Sequence, residues 1–135
     1  MALKLSLKPH ERIIIGGAVI TNGATKSEFL VENTVPILRH KHILSPQEAD
    51  SPAKRIYMTI QLMYVDGEKV AQYHKIYWEL VRDFLSAIPR AVGIIDCVSE
   101  HIAQNRYYDA LKEARKLINF EEEVLERAKQ CCESL

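Results

Sequence analysis

No stretch of this 135-residue chain comes near the ~18 consecutive apolar residues that a membrane span needs. The opening Met-Ala-Leu-Lys-Leu-Ser alternates apolar and polar residues and lacks the apolar core of a secretory leader. A cytoplasmic protein that does not enter a membrane is therefore expected. Cysteine is scarce as well. Cys97, Cys131 and Cys132 are odd in number and lack zinc-site spacing, so neither a disulfide framework nor a structural zinc is expected, and all three read as reduced bystanders. There is no Gly-rich phosphate loop, and no serine or cysteine sits in a nucleophile-elbow context. Of the five histidines, His10, His40, His42, His74 and His101, only His40 and His42 are close in sequence, and no cysteine or carboxylate adjoins them to complete a metal site. Catalysis, a metal and a cofactor are all unsupported. Net charge is zero, which removes any blanket attraction to polyanions.

What is present describes a globular α+β protein, 47% hydrophobic and 27% charged. Residues 1–44 read as a small antiparallel β unit and residues 45–135 as an antiparallel bundle of about four helices. The β unit is organised around residues 12–23, where Ile13-Ile14-Ile15 and Val19-Ile20 favour a buried, pleated surface. Gly16-Gly17 inside that run predicts a bulge or a close backbone approach. Asn22-Gly23 predicts a type I′ hairpin turn into a strand over 27–32. Before it, Leu3-Lys4-Leu5-Ser6-Leu7-Lys8 alternates, which turns Leu3, Leu5 and Leu7 toward a core. After it, residues 35–42 read as a fourth strand at an edge, with Arg39 and Lys41 on one face and Leu38, His40 and His42 on the other. A β unit this small must bury a face against helices or a second subunit, so a homo-oligomer through the β unit is one expectation.

Ser45-Pro46-Gln47-Glu48 has the form of a capping box, and Ser51-Pro52 gives a second helix start. Helices are expected from Ala53 to the Asp66-Gly67 stop, over 69–88, over 91–104 and over 107–129. The expected inward residues are Ile56, Ile60, Met63 and Tyr64; Tyr73, Ile76, Tyr77, Leu80, Phe84 and Leu85; Ile94, Ile95, Val98 and Ile102; then Tyr108, Leu111, Ala114, Leu117, Ile118, Val124 and Leu125. Glu121-Glu122-Glu123 reads as a solvated helix face. The charge is unevenly spread: residues 1–42 sum to +3 with three histidines besides, and residues 43–135 to −3, which points to an anion-binding front third.

Residues 3–22, then Pro36-Ile37-Leu38-Arg39, Pro52-Ala53-Lys54-Arg55-Ile56-Tyr57, Ile60-Gln61-Leu62-Met63-Tyr64 and Tyr107-Tyr108 through Ile118, resemble in order the FlbT family of flagellum biosynthesis repressors. The resemblance implies a cytoplasmic post-transcriptional regulator acting on the 5′ untranslated region of flagellin mRNA. The implied outcome is repression of translation or transcript decay, with activation in some members, and a FlaF-type companion protein in the pathway. A second resemblance is shorter. Glu11, Ile15-Gly16 and Val19 follow the Glu-x-x-x-Ile-Gly-x-x-Val pattern of the carbon storage regulator family, whose last strand places an arginine on mRNA, and Arg39 takes that place here.

Lys4, Lys8, Arg12, Arg39 and Lys41 are accordingly the candidate RNA-binding residues, a basic edge on neighbouring strands that could track phosphates. Only Phe29 offers a stacking ring in this half, so readout would fall to arginine, backbone and histidine. The alternative function is a protein-binding adaptor or chaperone-like module for flagellin or a FlaF-type partner. Its candidate contact residues are Trp78, Tyr107 and Tyr108 of the aromatic-rich helical half.

Overall fold

The alternation at the front of the chain and the 3.6-residue periodicity behind it fold as two compact units. The computed structural model describes residues 2–133, with side chains through residue 131; the Cys132 side chain lies outside the described residues. One unit is Met1–Ile43 with Val65–Glu68, the other Leu44–Tyr64 with Lys69–Leu135.

The first unit holds five strands, β1 Leu3–Leu7, β2 Arg12–Ile15, β3 Ala18–Thr21, β4 Ser27–Val31 and β5 Ile37–Arg39. β1 and β4 form an antiparallel pair, and β2 lies between β3 and β5 in a second antiparallel sheet. The triple isoleucine explains the central place of β2. Ile13 packs on one face with Leu5 and Leu7, while Ile14 and its β5 partner Leu38 are buried on the other. A strand covered on both faces reads as a continuous apolar run rather than an alternating one.

The hairpin turn differs from the sequence expectation. Ile15 pairs with Ala18, so Gly16-Gly17 is itself the two-residue loop, with φ of 57° and 89°. Two positive φ values are what a type I′ turn requires, and glycine adopts them without steric cost. The close approach expected here is also real, since a Cβ on Gly17 would lie 3.1 Å from the Val65 carbonyl oxygen. Asn22-Gly23 is not a hairpin turn. Asn22 instead ties loops together, its Nδ2 donating to the carbonyls of Leu7, Lys8 and Thr25 while its Oδ1 accepts from Gly23 N–H and the Ser27 hydroxyl.

Leu3 is exposed although Leu5 and Leu7 are buried, because the two-stranded sheet runs past the end of its core. All four residues of edge strand β3 are exposed, Val19 to 64%. β5 is shorter than expected: after Arg39 the Ile43 N–H bonds back to the His40 carbonyl and His40–His42 close a 3-10 turn, so Lys41 does not continue the strand.

In the second unit the capping box forms as read, Glu48 Oε1 accepting the Ser45 N–H at 3.3 Å and the Ser45 hydroxyl at 2.7 Å. The helices are α1 Pro52–Val65, α2 Val70–Ala87, α3 Val92–Ala103 and α4 Tyr107–Glu133. Gln61 of α1 is buried and serves the Leu44 backbone twice, as acceptor from its N–H and donor to its carbonyl. α3 ends in a Schellman motif: Asn105 takes φ 59°, its N–H reaches the Ile102 carbonyl, and the Arg106 N–H reaches that of His101. Tyr77 of α2 and Ser99 of α3 share a hydroxyl hydrogen bond of 2.8 Å, and the Arg115 guanidinium of α4 stacks 5.0 Å from the Tyr57 ring centre of α1.

The inward stripes differ from expectation at two places. On α2 the buried line is Tyr77, Val81 and Phe84, with Ile76 exposed. On α4 the core ends at Glu121, and Tyr108 and Leu125 are exposed. Glu121 is not solvated: it is 4% exposed and its Oε2 accepts the Ala53 N–H at 2.9 Å. No described helix is long and apolar enough to cross a membrane.

Candidate nucleic-acid interface

Three backbone devices bring Lys8, Arg39 and Lys41 of the first unit together. β1 ends at Leu7, and the chain reverses through Lys8-Pro9-His10-Glu11, closed by the Glu11 N–H to the Lys8 carbonyl at 3.1 Å. Pro9 at the second position and His10 at φ 61° in the third suit a type II turn. β5 then delivers Arg39 opposite Ile13, and the 3-10 turn places His40 and Lys41 directly after it. The result is a cleft of about 390 Å³ lined by Lys8, Glu11, Arg39, His40 and Lys41.

Within the cleft Arg39 is held but not hidden. Its Nη2 donates to the Ser6 carbonyl at 2.9 Å and stands 3.7 Å from Glu11 Oε1, while the side chain stays 45% exposed. His40 is oriented by the backbone: the Arg12 N–H can only donate, so His40 Nδ1 accepts at 3.0 Å and the ring hydrogen resides on Nε2. Lys8 and Lys41 are exposed. Three cations against one carboxylate leave the lining at +2 with His40 neutral.

The five sequence-predicted RNA residues are thus divided. Lys8, Arg39 and Lys41 share the cleft. Lys4 lies on β1 and pairs with Glu28 Oε2 across the β1–β4 sheet at 3.8 Å, both side chains largely exposed. Arg12 contributes its backbone N–H to His40, and its half-buried side chain is not part of the lining. Glu11 and His40 belong to the cleft although the basic pattern alone did not single them out. The signal was the Pro9-His10 turn, which returns Glu11 beside Lys8. Among the described residues no group of three His, Cys, Asp or Glu could hold a metal ion.

The aromatic candidates of the second unit do not share partners. Trp78 is 53% exposed and packs edge-on against Tyr77, centroids 5.1 Å apart. Tyr107 is half-buried; its hydroxyl donates to Asn105 Oδ1 at 3.3 Å and lies 3.4 Å from His74 Nε2. Tyr108 faces Tyr64 of α1 and carries the Lys112 ammonium 4.9 Å over its ring.

Comparison with known proteins places this architecture. The family model described as flagellar protein FlbT matches residues 3–125. A probable flagellum biosynthesis repressor protein FlbT 1 of Bradyrhizobium diazoefficiens is 46% identical over 125 residues, covering 92% of this chain and 85% of the relative. One from Rhodopseudomonas palustris is 42% identical over 94% of this chain and 100% of its own length. The flagellum biosynthesis repressor protein FlbT of Caulobacter vibrioides is 35% identical over 93% of this chain and 90% of its own. No solved structure matches. Matched from the first residue of β1 well into α4, and spanning these relatives almost end to end, the chain belongs to the FlbT family.

Proposed function

We propose that this chain represses flagellum biosynthesis after transcription, binding the 5′ untranslated region of flagellin mRNA in the cytoplasm and limiting its translation or lifetime. The observation that supports the reading best is the solvent-open cleft that Lys8, Arg39 and Lys41 line together with a single carboxylate, Glu11. Cations at that spacing attract a polyanion even though the chain as a whole is neutral. The relatives' designation as repressors makes the outcome negative. Arginine suits the role because its planar fork can take phosphate or a base edge with two parallel hydrogen bonds.

The test is the affinity of the chain for labelled flagellin leader RNA as salt is varied. Arg39→Ala with Lys41→Ala should weaken binding and flatten the dependence of log affinity on log salt, by ~0.7 for each lost single-strand phosphate contact. Lys4→Ala should change the slope less, since Lys4 stands outside the cleft. An unchanged slope in the double variant would remove the cleft from RNA binding. A second reading, recruitment of flagellin or a FlaF-type partner by the helical unit, is favoured by the exposure of Trp78, Ile76 and Leu125.

A further inference from the structure

The cleft contains one residue that a site for phosphates alone would not place there. Glu11 lines it among three cations and an imidazole, and a carboxylate beside a phosphodiester opposes its binding. Glu11 Oε1 lies out of solvent with no hydrogen-bond partner among the described residues. Its 3.7 Å contact with Arg39 Nη2 is a charge contact too long for a hydrogen bond. Buried acceptors left unmet are uncommon in native folds and call for a specific explanation.

The lining is bipolar: Glu11 accepts, while Arg39, Lys8, Lys41 and the Nε2–H of His40 donate. A phosphodiester needs only donors, and a ribose 2′-OH presents a single donor that one carboxylate oxygen would satisfy. A base edge needs both, and the four bases differ in what they ask. Guanine sets two parallel donors, N1–H and N2–H, beside the O6 acceptor, which matches the two oxygens of a carboxylate with a guanidinium alongside. Adenine and cytosine place an amino donor next to a ring-nitrogen acceptor, which a carboxylate repels. Uracil offers one N–H between two carbonyls.

We propose that the cleft is a guanine pocket. Glu11, its carboxylate turning out from beside Arg39 so that both oxygens face the cleft, takes N1–H and N2–H, Arg39 takes O6, and Lys8 and Lys41 hold the flanking phosphates; this assignment rests on the RNA-binding reading above. The hydrogen bond from Arg39 to the Ser6 carbonyl keeps the guanidinium beside Glu11 before a base arrives. Entry of the base replaces a loose ion contact with hydrogen bonds to both partners.

The experiment measures anisotropy of fluorescein-labelled adenylate decamers carrying one central guanosine, one inosine or none, alongside the flagellin leader, with the full chain. Inosine keeps N1–H and O6 and lacks only the N2 amine. The guanosine decamer should bind at least about fivefold more tightly than the inosine decamer. Glu11→Gln should abolish that preference while binding the guanosine-free decamer as well as or better than the unaltered chain. Equal binding of all three decamers overturns the guanine pocket and leaves RNA binding intact. A preference that persists in Glu11→Gln overturns the role of Glu11. No binding of any decamer or of the leader overturns both readings. The inosine comparison uses the unaltered chain, so it decides the matter even where Glu11→Gln fails to fold.

Discussion

Replacing Glu121 by alanine should destabilise the helical unit more than any other single change among its acidic residues. Pro52 has no N–H, and Ser51 Oγ accepts the Lys54 N–H at 3.3 Å, so the first free donor of α1 is the Ala53 N–H. Glu121 accepts it at 2.9 Å from 68 residues away, in a place closed to solvent. Removing the carboxylate strands a buried donor, which costs about 1–3 kcal/mol. It also removes a negative charge from a helix N-terminus, worth up to about 1–2 kcal/mol in a buried setting. The expected loss for Glu121→Ala is about 2–4 kcal/mol. Glu121→Gln keeps an acceptor and gives up only the charge, for a loss of about 1 kcal/mol. With an unfolding entropy of roughly 2.1 cal/mol/K per residue over this chain, these become falls in Tm of about 7–14 °C and about 4 °C. Exposed Glu122→Ala should stay within about 0.5 kcal/mol of the parent. Melting followed by circular dichroism, with urea titration for the free energies, orders the three variants. Alanine and glutamine variants of equal stability, or an alanine variant no worse than Glu122→Ala, would refute the claim that this carboxylate caps α1.

Two further perturbations test other parts of the fold. Burial pushes the Tyr77 phenol up to about 12, partly offset by its Ser99 hydrogen bond, and raises Tyr57 against the lowering pull of Arg115. The unfolded chain loses these protons near 10 while the native one keeps them, so their contribution to stability is complete below pH 10 and is lost as pH rises toward 12. Absorbance at 295 nm should show at least two of the six tyrosines ionising late, together with loss of helix, and an early ionisation of all six would contradict the burial. In the β unit, Gly16→Asn should be nearly neutral, because asparagine tolerates φ 57° and a Cβ there meets only Val35 at 3.8 Å. Gly17→Val should cost at least about 1–2 kcal/mol, since a β-branched residue at φ 89° would also press on the Val65 carbonyl at 3.1 Å. Equal denaturation midpoints for the two variants would contradict this account of the turn.

The class of fold and the helix boundaries were legible because periodicity, capping residues and the Asp66-Gly67 stop all point the same way. The errors fall where two local signals compete. Gly16-Gly17 and Asn22-Gly23 both qualify for a tight turn, and the pairing of Ile15 with Ala18 decides between them only once strands are brought together. On α2, the stripe through Ile76 and Leu80 and the stripe through Tyr77, Val81 and Phe84 are equally apolar in sequence, and the Tyr77–Ser99 contact decides which one turns inward. Glu121 follows Ala114, Leu117 and Ile118 in helical phase, so its burial was readable from position, but its charge argued for solvent until a donor in α1 was found for it. In the cleft the three cations were visible as residue types. The carboxylate among them became visible only through the reversal at Pro9-His10.

The discontinuity of the first unit bears on any effort to transplant it. Val65–Glu68 belongs to it by contact, and the main chain at Val65 sits against the bend between the second and third strands. Cutting after residue 44 would strip that cover from the glycines and leave a sheet fragment close to the lower limit, about 40 residues, at which such fragments hold together unaided. A graft of the cleft-bearing unit onto another scaffold must therefore run to about residue 68 and bring the first long helix along as cargo.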